Sequence, residues 1–253
     1  DTFFVSKGLG TRGLAALNLA IPVYNFIHGT GLMLGMGGAT KVSVCKSQGN
    51  QELVDRVFTN TMYLAVLFSI AFILPGFFCS RHLAFVLGAD HAILEMTITY
   101  LRWLLLFSPA FILNDILLCF VRNDANPQLA MCAMLIGSFS NIVLDYIFIF
   151  PLNMGIFGAI FATGISPVIS ILMMIPHWAK NKNSFHFVRT RICMKIVQWD
   201  LSLGFPSLIA QISSGIVMIT FNAIILKLEG NIGIAAYGII ANISLVVVAI
   251  YTG

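Results

Sequence analysis

Charged side chains are what this sequence lacks. They make up 9% of its 253 residues, against 58% hydrophobic, where a soluble domain carries about a quarter. That shortage excludes an ordinary water-soluble globular domain. Five segments hold no Asp, Glu, Lys or Arg at all: Gly13 to Thr40, Val57 to Ser80, Ala125 to Leu144, Tyr146 to Ala179, and Leu201 to Leu226. About 20 mostly apolar residues cross a bilayer as a helix, so each run holds a span. The runs are apolar on every side, without the alternation of a membrane barrel, and this leaves helices as the spanning structure. Cysteine is also sparse. Cys45, Cys79, Cys119, Cys132 and Cys193 form no CxxC pair and have no histidine at ligand spacing, which argues against disulfides and zinc and for packing roles. The net charge of +4 is spread over particular loops, a topological signal with no sign of a nucleic-acid partner.

The charge-free runs predict spans near 1–8, 14–38, 56–79, 96–119, 127–150, 155–178, 200–226 and 232 onward. One side of that arrangement carries Lys41, Lys46, Arg56, Arg122, Lys180, Lys182, Arg189, Arg191 and Lys195; the other has only Lys7, Arg12, Arg81 and Lys227. The richer side is predicted to be cytoplasmic, and Arg102 is left to snorkel from within a span. Lys7, Gly10, Gly13, Ala15 and Ala16 recur as Lys227, Gly230, Gly233, Ala235 and Ala236, each 220 residues later. An even number of spans separates the copies, so the second returns in the same orientation, as in transporters built from parallel repeats. With Asp1 inside a predicted span, the sequence reads as truncated at both ends. The expected fold is an all-α membrane protein: a six-helix transmembrane bundle, one lobe of a two-lobe transporter, plus the first two helices of the second lobe. The expected divisions are a lobe over 1–180, a cytoplasmic linker over 181–198 and the start of the second lobe over 199–253.

An ionisable group inside a span costs several kcal/mol on insertion scales of about 2.5–3.5 for Asp, so its presence asks for a partner, a cavity or a function. Asp145 lies six residues before Pro151, roughly 9 Å below the outer end of its span, with Asn141 one turn away on the same face. Thr163, counted from Gly155, lies roughly 12 Å deep, and Tyr100, counted from Glu95, roughly 8 Å. Asp1 falls in the same layer if its outer turn follows seven to nine residues later. Taken singly, Asn141 and Thr163 read as helix-to-helix glue and Tyr100 as an interfacial belt residue; Asp145 is what turns the group into a candidate polar pocket. Such a pocket can hold a proton or a hard cation such as sodium. Asp115 and Arg122 are read as a pair or loop anchor, and His28 as a hydrogen-bonded core histidine. Pro22, Pro109, Pro167 and Pro206 are potential kinks. Met and Phe, at 11 and 21 residues, are packing or lipid-facing groups that suit promiscuous binding wherever they line a cleft.

The segments Asp1 to Val5, Gly13 to Pro22, Val121 to Pro127, Asn141 to Ile149 and Met154 to Thr163, in that order, resemble multidrug and toxic compound extrusion transporters, and Gly204 to Ser207 resembles the start of that family's seventh span. The resemblance implies twelve helices in two lobes, exporting organic and often cationic compounds by alternating access against inward sodium or proton flow. It implies a multi-pass plasma-membrane protein, monomeric, with the lipid bilayer and a small organic substrate as its partners and no cofactor beyond the coupling ion. It places Asp1, Tyr100, Asn141, Asp145 and Thr163 on the family's cation site, with sodium held by Asp1, Asn141, Asp145 and Thr163. Two departures stand out. Gln211 and Ser214 lie where many members have a seventh-span acid, and Ala125 stands where relatives often have glycine. The competing readings are a flippase for lipid-linked precursors, which would want a more basic cleft, and an intramembrane enzyme, for which no Ser, His and Asp set shares a depth.

Overall fold

A computed structural model describes residues 1–89, 91–179 and 183–217, with positions 220, 221, 224 and 228 beyond. All regular structure in this range is helical: α1 (Thr2–Ser47), α2 (Gln51–Phe78), α3 (Ser80–Val86), α4 (Leu94–Leu106), α5 (Ser108–Asn123), α6 (Pro127–Ile149), α7 (Gly155–Ala179) and α8 (194–217). Residues Asp1–Gln211 form one compact unit, and Ile212–Gly253 a second, of which few positions are described. The later copy of the internal repeat, from Lys227 to Ala236, and the span predicted from 232 lie outside the described residues.

Helices α2, α6 and α7 are each long and apolar enough to cross a membrane, and α4 with α5 supplies another as a broken span bent by 46°. The predicted 96–119 span is this bent pair. The bend falls at Phe107, immediately ahead of Ser108 and Pro109, where proline occupies the first turn of α5 and its missing N–H removes a helical hydrogen bond. Pro22, Pro75 and Pro167 instead sit within continuous helices. The predicted 1–8 and 14–38 spans become two arms of α1 that meet at Gly10, where φ is 67° and ψ is −160°. Nothing stands within 4 Å of a Cβ built at Gly10. Backbone conformation, and not crowding, calls for glycine at this corner. Beyond it the 1–9 arm lies on α6: a Cβ at Gly8 would meet Ile149, and the Phe4 ring sits 6.4 Å from Phe150.

Outward faces of α2 and α6 carry Leu67, Ile70, Leu74, Leu135, Phe139 and Val143, all exposed. Contiguous apolar surface on this scale fits lipid as the solvent. Inside, small residues set the spacing. A Cβ at Gly38 would lie 2.5 Å from Thr61 Oγ1 and one at Gly35 2.9 Å from Cys119 Sγ, so α1 approaches α2 and α5 through its glycines.

The basic ends of the helices are tied together by a segment that the sequence presents only as a linker. Asn50 and Asn126 cap α2 and α6 through Leu53 N and Leu129 N. Between α5 and α6, Ala125 takes a left-handed φ of 59°, the conformation that glycine adopts without steric cost. Asp124 accepts hydrogen bonds from Lys46 Nζ (2.9 Å), Ser184 N (2.8 Å) and the Ser184 hydroxyl, and lies 3.0 Å from His177 Nε2. From there the 183–193 segment crosses α2. Asp55 accepts from His186 N, Thr59 from Val188 N and Asn60 from Cys193 N. Phe185, 1% exposed, packs 4.6 Å from the Phe58 ring and 5.2 Å from Phe120.

Burial pushes the Asp124 carboxyl up, yet the bonds from Ser184, Lys46 and His177 outweigh it and hold this group below the usual carboxylate value. The charged form is therefore favoured by folding. Its contribution is complete above the ordinary carboxylate pKa and fades as pH falls through the lowered folded-state value. Asp124→Asn in the full-length protein is expected to cost about 2 kcal/mol, read as a lower unfolding temperature at neutral pH. The deficit against the native protein should shrink once the pH drops below about 4.

Candidate functional site

A cavity of about 590 Å³ opens within the first unit, bounded by both arms of α1 and by α4, α5, α6 and α7. Four of the sequence-predicted residues, Asp1, Tyr100, Asn141 and Thr163, line it. Each comes from a different helix or helix arm, which is why no local spacing in the chain could reveal the pocket.

Thr163 Oγ1 lies 2.9 Å from Asp1 Oδ2 and also 2.9 Å from the carbonyl oxygen of Ala159, one turn back on α7. One hydroxyl hydrogen serves one of these acceptors at a time. A proton on the Asp1 carboxyl would complete the chain, the carboxyl donating to Thr163 and Thr163 to Ala159. Tyr100, 6% exposed, forms part of the wall from α4.

Asp145 takes a different position. It stands behind the cavity lining with no solvent exposure, and the Asp1 backbone nitrogen lies 3.1 Å from its Oδ2. That contact is at ion-pair distance, and Asp145 Oδ1 is buried with no hydrogen-bond partner. Asp1 Oδ1 and Asn141 Nδ2 are likewise buried without one. Buried polar atoms are nearly always satisfied, and a carboxylate left without partners costs the most. A knot of such atoms on two carboxylates and an amide is suited to a small positive ion or to protons. Among the described residues no cluster of three or more His, Cys, Asp or Glu has metal-site geometry.

The other end of the cavity carries residues that the sequence did not group. Asp115 does not turn to Arg122, as its place on α5 suggested. Seven residues along a helix separate the two by roughly 10 Å, and Asp115 Oδ2 instead lies 2.8 Å from His28 Nδ1 on α1. Tyr24, Asn114, Ser138 and Ser170 complete this end. His28 is hydrogen-bonded, as expected, but it stands at a cavity wall. Only Tyr24 left a trace in the sequence, one helical turn from His28 on the same face.

A bundle of membrane-type helices, kinked by glycine and proline around a cavity with buried acids, defines a helical membrane protein. The MatE family profile matches residues 1–147, and the chain belongs to this multidrug and toxic compound extrusion family, whose members are multi-pass plasma-membrane proteins. It is 30% identical to the multidrug export protein MepA of Staphylococcus saprophyticus, over 94% of this chain and 53% of that protein. Among solved structures, an inward-facing multidrug resistance MATE family transporter of the MOP superfamily is 28% identical with a TM-score of 0.81, matched over 93% of this chain and 54% of its own. A MOP superfamily transporter from Pyrococcus furiosus, described by the reverse polarity of its binding pocket, is also 28% identical with a TM-score of 0.83, over 96% and 54%. The chain thus spans about half the length of the relatives it matches.

Proposed function

We propose that the full-length protein is an ion-coupled exporter of small organic cations, working by alternating access in the plasma membrane. The observation that carries this reading is the pair of neighbouring carboxyl groups on Asp1 and Asp145, each with a buried oxygen that accepts no hydrogen bond, beside Asn141 and a cavity. Asp1 and Asp145 supply the negative charge, Asn141 and Thr163 supply further oxygens, and Tyr100 shapes the wall. The relatives' names as multidrug export proteins support export of small organic compounds. Hard oxygen atoms suit sodium as well as protons, and the Asp1, Asn141, Asp145 and Thr163 set is proposed for either ion.

Coupling follows when the ion and the organic cation have different affinities for the inward-open and outward-open states. A site that stays negative until an ion neutralises it provides that difference. The flippase reading fares worse, because among the described residues the cavity lining includes no Lys or Arg to hold a pyrophosphate.

The test is efflux of ethidium from proteoliposomes of the full-length protein, with sodium and pH gradients imposed one at a time. Efflux is expected to follow at least one inward gradient and to stop when it is collapsed. Ethidium movement indifferent to both gradients would refute ion coupling.

A further inference from the structure

Deeper in the same cavity lies a second titratable couple outside the Asp1 and Asp145 layer. The Asp115 side chain is 6% exposed and that of His28 is 32% exposed, and both face the cavity. The Tyr24 ring lies parallel to the imidazole at 5.9 Å and 9°. Space for the carboxylate is made by a glycine: a Cβ at Gly31 would stand 2.6 Å from Asp115 Oδ2. Beside it, Asn114 Oδ1 is buried without a hydrogen-bond partner and lines the same cavity. Measured from the corner at Gly10, His28 lies roughly 27 Å down one arm of α1 and Asp1 roughly 13 Å down the other. The two centres thus occupy different depths.

A carboxylate only accepts hydrogen bonds, so the Nδ1 facing Asp115 carries the hydrogen and Nε2 keeps its lone pair. In this form the couple has one net negative charge. A proton moved from cavity water to Nε2 makes the ring an imidazolium, still donating to Asp115, and brings the couple to zero. An organic cation drawn by the first form loses its attraction in the second. Around the couple, Tyr24 on α1 and Tyr100 on α4 are the titratable neighbours, with Cys119 and Arg122 farther along α5 and the Asp1 carboxyl at the other end of the same cavity. The polar lining that α6 and α7 contribute to the cavity is Ser138, Asn141, Thr163, Ser166 and Ser170, none of which titrates.

We propose that His28 and Asp115 form a second proton-binding centre, in which a proton on His28 Nε2 and an organic cation beside Asp115 exclude one another. The exclusion rests on the export reading above; the protonation does not. The experiment is solid-state NMR of full-length protein with 15N-labelled histidine, titrated over about pH 5 to 9, the range where histidine changes charge. The resonance missing from both His28→Gln and His28→Asn is expected to pass reversibly from neutral imidazole to imidazolium. With saturating tetraphenylphosphonium the change should need about tenfold more protons, one pH unit. In Asp115→Asn, which keeps the histidine, the response to tetraphenylphosphonium should vanish. A His28 signal fixed in one form throughout, or one that ignores tetraphenylphosphonium in the native protein, overturns the proposal, as does an undiminished response in Asp115→Asn. If the titration and the cation response both appear but vesicles show no efflux, the centre stands and the exporter reading is what fails.

Discussion

Asp145→Asn in the full-length protein is expected to abolish ion-driven efflux of an organic cation while the protein still folds. The substitution keeps the shape of the side chain and removes one charge. At about 4 Å and an effective dielectric near 20, attraction between a carboxylate and a monovalent cation is about 4 kcal/mol. Its loss lowers ion affinity by about a thousandfold. Driving a two-state carrier from almost wholly one form to almost wholly the other takes a difference of about 5.5 kcal/mol, so the remaining charge of Asp1 is too little on its own. Folding should be spared, because an amide is cheaper to bury than a carboxylate with no hydrogen bonds. Size-exclusion behaviour matching the native protein, together with gradient-driven ethidium efflux reduced about a hundredfold or more, is the anticipated pair of results. Native efflux from Asp145→Asn would remove this residue from the mechanism.

The largest stability effect is expected where α8 crosses α1. A Cβ at Gly37 would lie 2.0 Å from the backbone oxygen of Asp200, and one at Gly204 would lie 1.8 Å from that of Met33. Both obstacles are backbone, so no rotamer change can relieve them, and the helices must move apart. Separation would also strain the bond from Thr61 Oγ1 to the buried Asp200 carboxylate, 2.7 Å long. Gly37→Ala or Gly204→Ala should each cost about 3 kcal/mol, the upper end for overpacking. Gly8→Ala is the informative contrast, since its Cβ would meet Ile149 Cγ2, a side-chain tip, at 2.5 Å. A loss there of less than half that size is expected. Thermal unfolding of the full-length protein checks all three, and equal losses at Gly8 and Gly37 would show that side-chain crowding, not backbone contact, governs them.

The spans were readable in the sequence because a bilayer enforces a simple rule: helices must be long and free of charge, and the runs at 57–80, 125–144 and 146–179 obey it. Asp145 was readable for the converse reason, as a costly exception inside such a run. Less was visible where structure depends on contacts between distant segments. His28 and Asp115 are 87 residues apart, and their union depends on a glycine at position 31 that looks like any other small residue of a membrane helix. The 183–193 segment looked like a plain linker. Its anchors on α2, Asp55, Thr59 and Asn60, do keep helical spacing along one face, but such spacing gives no hint of what that face would hold. Position Ala125 shows the limit from the other side. Its departure from glycine was plain in the sequence, yet only the backbone shows that this residue holds a left-handed conformation.

The single-residue corner at Gly10 also fixes an angular phase. The arm from Gly10 back to Asp1 has no loop to absorb a change in length, and each residue of a helix advances the next side chain by about 100°. One residue inserted or deleted in that arm would therefore swing Asp1 a quarter turn or more away from Thr163, although composition, span length and fold would all look unchanged. In this family member the aim of a carboxylate is set by counting, and related chains that keep the acid but alter the count would no longer point it at the Thr163 hydroxyl.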